Sequence, residues 1–168
     1  MRSHFEMNAT LQFSGEITTE AQAALKKLIE DSNRVHFWKG VPKGVTDPAE
    51  IGQITGIPQF GKNSVDLSFS SGPYTRVHDA LFRFRKQVAP VMGRHRLGLR
   101  GIEVNGYRIT VSGDFPEGFH SPRLPFIRES SLEDGTLTLV LDVSESDLEN
   151  KIPDRLVRLV EEIGRAHV

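Results

Sequence analysis

A chain of 168 residues, 38% of them hydrophobic, is long enough for one domain with its own core. It has no cysteine, which excludes disulfides and thiolate-ligated zinc, and no apolar run approaches the ~20 residues needed to span a bilayer. The 21 basic and 22 acidic side chains leave a formal charge of −1, and the polar start Met1–Asn8 lacks the apolar centre of a signal peptide, so a soluble, cytoplasmic protein is expected.

The alternation of Phe5, Met7, Ala9, Leu11 and Phe13 predicts a first strand. Thr19 and Gln22 have the spacing of a capping box, for a helix to about Ser32 that buries Ala21, Ala24, Leu25, Leu28 and Ile29. A short strand is expected over Val35–Lys39. Gly40–Asn63 is rich in glycine and proline and reads as loop, with a strand around Gln53–Ile57. Val65, Leu67 and Phe69 alternate as another strand. Gly72-Pro73 then suits a helix start, because proline lacks the N–H that would be unpaired there. In that helix Val77, Leu81, Phe84, Val88 and Val91 line one face, with Pro90 and Gly93 as stop signals.

Asn105-Gly106 is a strong hairpin signal. A turn there would put Val104 opposite Tyr107 and pair Glu103 with Arg108. Leu99 and Ile102 then have mismatched parity, which a bulge near Arg100-Gly101 would repair. After a turn-rich linker, Phe126–Leu132 and Thr136–Val143 form a second hairpin around Asp134-Gly135. A final helix, broken near Pro153, presents Leu148, Ile152, Leu156, Leu159, Val160 and Ile163 in a stripe. Helices separate from hairpin-linked strands imply an α+β fold, an antiparallel sheet with helices on one face.

Charge is distributed unevenly along this chain. Between Tyr74 and Arg108 lie eight bases (Arg76, Arg83, Arg85, Lys86, Arg94, Arg96, Arg100 and Arg108) and only two acids, Asp79 and Glu103. The remaining residues carry 13 bases and 20 acids. A basic block on an acidic body is an electrostatic footprint for a polyanion, and none of these bases has an acid four residues after it. Trp38 reads either as a half-buried strand residue or as a platform for a stacked base, with Lys39 beside it.

Catalytic motifs are missing. There is no glycine-rich phosphate loop, no nucleophile elbow and no His pair at i, i+4. His36, His78, His95 and His120 are scattered, and Glu133-Asp134 falls in a turn that needs Asp-Gly for its geometry.

The run Ser71-Gly-Pro-Tyr-Thr-Arg76-Val-His78-Asp-Ala, followed by Arg85-Lys86, Gly93-Arg94 and Gly98-Leu-Arg-Gly101-Ile-Glu103, resembles the N-terminal domain of the methanogenic archaeal, type 2 seryl-tRNA synthetases. The resemblance is most specific over 70–111 and extends through Lys39-Gly-Val-Pro42 to the helix after Pro153. It implies a six-stranded antiparallel sheet capped by three helices. Residues 1–150 would form a tRNA-binding α+β domain, and 151–168 a helical connector toward a catalytic domain. The partner it implies is serine tRNA, held by its long variable arm. With the charge pattern read above, that partner makes Arg76, Arg83, Lys86, Arg94, Arg96, Arg100, Trp38 and Lys39 the expected RNA-binding residues. No cofactor is expected in this chain, since zinc, ATP and serine, like the contacts that make a dimer, would belong to the catalytic domain. The chain departs from the family in having no class II motif and no zinc-ligand cysteine, so aminoacylation is not expected of it alone. A free-standing module for another structured RNA, and a protein-interaction domain whose bases meet an acidic partner, are the alternatives.

Overall fold

The computed structural model describes residues 2–165; Met1 and the last three residues of the expected 151–168 connector lie outside the described residues. Six strands form one antiparallel sheet: β1 (Arg2–Phe13), β2 (Gln53–Phe60), β3 (Ser64–Ser71), β4 (Leu99–Ser112), β5 (Ile127–Glu133) and β6 (Thr136–Leu141). Their order is β2-β3-β1-β4-β6-β5. Along β1 the side chains of Phe5, Met7, Ala9, Leu11 and Phe13 are buried, while Glu6, Asn8 and Gln12 are exposed. Helices α1 (Thr19–Arg34), α2 (Val77–Gly93), α3 (Glu145–Glu149) and α4 (Ile152–Arg165) complete the α+β architecture, and their apolar faces join the inner face of the sheet in one core. No helix among the described residues is long and apolar enough to cross a membrane.

The expected hairpin at Asn105-Gly106 is not formed. Residues 99–112 run as one strand along the whole of β1, and Asn105 is an extra residue between the pairs Ala9–Val104 and Asn8–Gly106. Neither Asn105 nor Gly106 has the positive φ that a type I′ turn requires. The bulge has the same parity consequence as the turn would have had: Val104 and Tyr107 both face the core. Glu103 therefore pairs with Thr10, and Arg108 lies beside Glu6 at 3.9 Å, instead of the two facing each other. A second irregularity occurs where the sequence places it. Gln12 pairs with Gly101 and Phe13 with Leu99, leaving Arg100 as the extra, exposed residue. The turn between β5 and β6 does take the type I′ form, with φ of 49° at Asp134 and 75° at Gly135.

Other boundaries move by a few residues. Thr18, not Thr19, caps α1 by accepting from the N–H of Ala21. The expected strand at 35–39 is a short 3-10 helix, His36–Trp38. Helix α2 begins at Val77 and not near Pro73, because Gly72 passes close against a second 3-10 turn, Pro48–Glu50. A Cβ on Gly72 would lie 2.7 Å from both the Ala49 carbonyl oxygen and the Glu50 Cα, a closeness open only to glycine. Pro90 is accommodated inside the last turns of α2. Between α3 and α4 the break falls at Lys151, φ 57°, with Pro153 in the first turn of α4. Leu159 is exposed, and Val157 takes its place in the buried stripe.

Candidate nucleic-acid interface

Helix α2 lies across the sheet through Val77, Ala80, Leu81, Phe84, Val88 and Met92, all fully buried. Its outer face carries Arg83, Lys86 and Gln87, one helical turn apart and exposed. Past its end the chain closes with the N–H of Leu97 bonded to the Met92 carbonyl at 3.1 Å and that of Arg96 to Gly93 at 3.0 Å. This is a Schellman closure, normally completed by glycine, but here Arg96 occupies the left-handed position at φ 60°. Gly93, the expected stop, does not have a positive φ. A non-glycine residue held there carries a cost of about 1 kcal/mol.

The structure divides the eight bases into two groups. Arg85 reaches Glu145 and Glu149 on α3 and stacks over Phe82 with its guanidinium carbon 4.9 Å from the ring centre. Arg108 lies beside Glu6. Arg76 is the N-cap residue of α2, in extended conformation, and not part of the helix. Its guanidinium sits 4.6 Å over the Phe5 ring, 3.1 Å from Asp154 Oδ1, and donates to Ser3 Oγ at 3.3 Å. It is thus turned inward and apart from Arg83, although the two are spaced as neighbours on a helix face. The other five, Arg83, Lys86, Arg94, Arg96 and Arg100, are exposed and have no carboxylate within ion-pair distance among the described residues. They run from the middle of α2, past its C-terminal end, to the Arg100 bulge in β4.

Trp38 and Lys39 come to this region through α1. Asn33, near the end of α1, exchanges two hydrogen bonds of 2.8 Å with the backbone of Ile54 on β2. Its carbonyl accepts from Trp38 Nε1 at 2.9 Å. The indole is half-buried against the core, on a 3-10 turn and not on a strand. Arg83 Nη1 donates to the Lys39 carbonyl at 3.0 Å, which ties this turn to the outer face of α2.

Asp154 was missed by the sequence reading. It stands in the first turn of α4, with Oδ1 near Arg76 and Oδ2 3.3 Å from His78 Nε2. Burial works against its charge, but the His78 hydrogen bond and the charges of His78 and Arg76 outweigh it and hold the carboxyl below its ordinary range. Nearby, burial pushes the Tyr107 phenol well above its usual value, with Asp154 adding to the effect. Because folding lowers the pKa of Asp154, its stabilisation is complete above about pH 4 and disappears as the pH falls through the lowered folded value. Asp154→Asn should cost about 1–3 kcal/mol at neutral pH and should flatten this acid limb. Urea unfolding at pH 7 and pH 3 checks both; parallel losses for wild type and variant across that range would contradict the assignment.

A family model described as a tRNA-binding domain matches residues 3–162. The chain belongs to this family of tRNA-binding domains. It is 36% identical over 165 residues to the type-2 serine–tRNA ligase of Methanothrix thermoacetophila, a match covering 94% of this chain and 31% of the ligase. With the type-2 serine–tRNA ligase of Methanocaldococcus jannaschii it shares 34% identity over 167 residues, covering 95% and 30%. Among solved structures, M. kandleri SerRS in complex with A. aeolicus tRNASec superposes over 99% of this chain and 31% of that one, with a TM-score of 0.86 and 26% identity. The tRNA-binding domain described here thus spans about 30% of the length of the ligases it matches. The resemblance drawn from residues 70–111 holds over nearly the whole chain.

Proposed function

We propose that this tRNA-binding domain grips the long variable arm of serine tRNA, on behalf of a serine–tRNA ligase acting in the cytoplasm. The observation that carries this reading is the group of five exposed bases along α2 and into β4 without carboxylate partners among the described residues, in a chain whose other nearby arginines are held by Glu145, Glu149, Asp154 and Glu6. Such an array suits the backbone of an A-form arm, whose base edges are hidden in a deep, narrow groove and whose phosphates are accessible. Arginine adds a planar fork that places two hydrogen bonds on one phosphate. Serine activation, with its ATP and zinc, would belong to the part of the ligases that this chain does not match, as would the dimer contact.

A gel-shift titration tests the reading with three RNAs: serine tRNA, the same tRNA without its variable arm, and an unrelated tRNA. Serine tRNA should bind at least about tenfold more tightly than the other two, a difference of ~1.4 kcal/mol. Equal affinity for all three would replace the variable arm with general RNA attraction. No binding to any RNA, with retention of an acidic protein, would favour a protein-interaction role.

A further inference from the structure

Strand β6 accompanies β4 only along residues 107–112, where Tyr107 faces Leu141 and Ser112 faces Thr136. After Leu141 the chain turns away: the N–H of Asp142 bonds to the Phe126 carbonyl, and Ser144 caps α3. Residues 99–106 of β4 therefore have β1 on one side and, among the described residues, no strand on the other. Alternate residues of a ladder turn their N–H and C=O to opposite sides, so the groups directed away from β1 here have no strand to bond to. A groove of about 630 Å³ occupies the vacant lane, between 101–105 on one wall and 141–145 on the other. Burial records the same gap. Tyr107, Ile109 and Val111 are fully buried where β6 flanks them, whereas Ile102 and Val104 continue that inner face and are only half-buried.

The two strands at the ends of the sheet are guarded against pairing. β2 has Pro58 and a break in register after Thr55, and β5 presents a run of exposed polar side chains. Between the bulges at Arg100 and Asn105, β4 has neither a proline nor an inward charge. The groove has an apolar floor of Ile102, Val104, Leu141 and Val143, and its lining includes four carboxylates and no lysine or arginine. Arg128 lies 3.5 Å from Asp142, Arg85 holds Glu145, and Asp147 accepts from the Ser144 N–H. Glu103 is exposed and has no cation partner among the described residues. We propose that this lane takes an extended segment of a partner protein, added as a strand beside β4, with apolar side chains turned in onto Ile102 and Val104 and a lysine or arginine turned out to Glu103. The period of two along a strand sets that alternating pattern, since Glu103 lies on the face opposite its two neighbours. In this mode the backbone bonds supply affinity and the alternate side chains supply specificity. Carboxylates repel RNA phosphates, so the lane is separate from the five bases and the proposal does not depend on the RNA reading.

Amide NMR and hydrogen exchange of the full chain test this with two peptides of one composition, acetyl-Val-Lys-Val-Lys-Val-Lys-amide and acetyl-Val-Val-Val-Lys-Lys-Lys-amide. In the free chain, the amides of 101–105 that turn from β1 should exchange fast. The alternating peptide should give saturable shifts confined to 101–105 and 142–145 and slow those amides at least about tenfold, and the block peptide should bind about tenfold more weakly. Glu103→Lys should weaken the alternating peptide at least about fivefold. It should lower neither the unfolding midpoint nor the affinity for serine tRNA, because Glu103 is exposed and pairs across the sheet only with Thr10. Equal binding of the two peptides, with shifts spread over the acidic surface, would reduce the lane to diffuse attraction and overturn the proposal. Amides of 101–105 that are all slow in the free chain would overturn it too, since the protein would then close the lane itself. Concentration-dependent shifts at 101–105 without peptide binding would give the lane to a second copy of this chain and remove the partner.

Discussion

Replacing Phe84 with alanine is expected to lower the free energy of unfolding by about 3–5 kcal/mol. The side chain is fully buried and meets the Phe69 ring of β3 edge-on, with centroids 6.4 Å apart and planes at 73°. Truncation therefore removes apolar contact area and an aromatic pair between α2 and that strand, and a cavity follows. Leu81→Ala should cost about 2–5 kcal/mol for the same reason. Urea unfolding followed by circular dichroism measures both. A loss below about 1 kcal/mol at Phe84 would mean that α2 does not rest on the sheet as described. The bases on the opposite face should feel this change only through the folded fraction, so tRNA affinity measured under native conditions should hold.

Combining Arg83→Ala, Lys86→Ala and Arg94→Ala should weaken serine tRNA binding by about two to three orders of magnitude at low salt. Three lost contacts should also flatten the slope of log affinity against log salt by roughly 2–3, at ~0.9 per phosphate on the duplex calibration. Arg155→Ala, an exposed base on α4, is the control. Equal losses from Arg155 and from any one member of the triple would reduce the interface to diffuse attraction. Arg76→Ala separates position from contact. It leaves Asp154 without its guanidinium, so stability should drop by about 1–3 kcal/mol. A slope unchanged from wild type would then keep Arg76 as a support of α2, whereas a flattened slope would show that it also reaches the RNA.

These expectations rest partly on features legible in the sequence. The alternation in β1 and β3, the three- and four-residue steps of α2, and the Asp134-Gly135 turn are properties of neighbouring residues, and each appears where the pattern places it. The motif run from Ser71 to Glu103 carried the family for the same reason, since it is a linear string. Asn105-Gly106 shows where local pattern stops being sufficient. The pair suits a type I′ turn and a bulge alike. What decides between them is β1, which is long enough to pair with residues on both sides of the pair and so holds them in one strand.

The basic block was equally visible as composition, but which of its members face solvent was not. The acids that hold Arg85 and Arg76 lie at 145, 149 and 154, on helices about sixty or more positions further along the chain. The small cavity beside α2 likewise joins Ser32 and His36 to Arg83 and Lys86 across about fifty positions of chain. Periodicity reports which face of an element is apolar, because that depends on residues a turn or a pleat apart. Ion pairs, bulges and cavities depend on which elements become neighbours, and that was set by the packing of α1, α2 and α4 against one sheet.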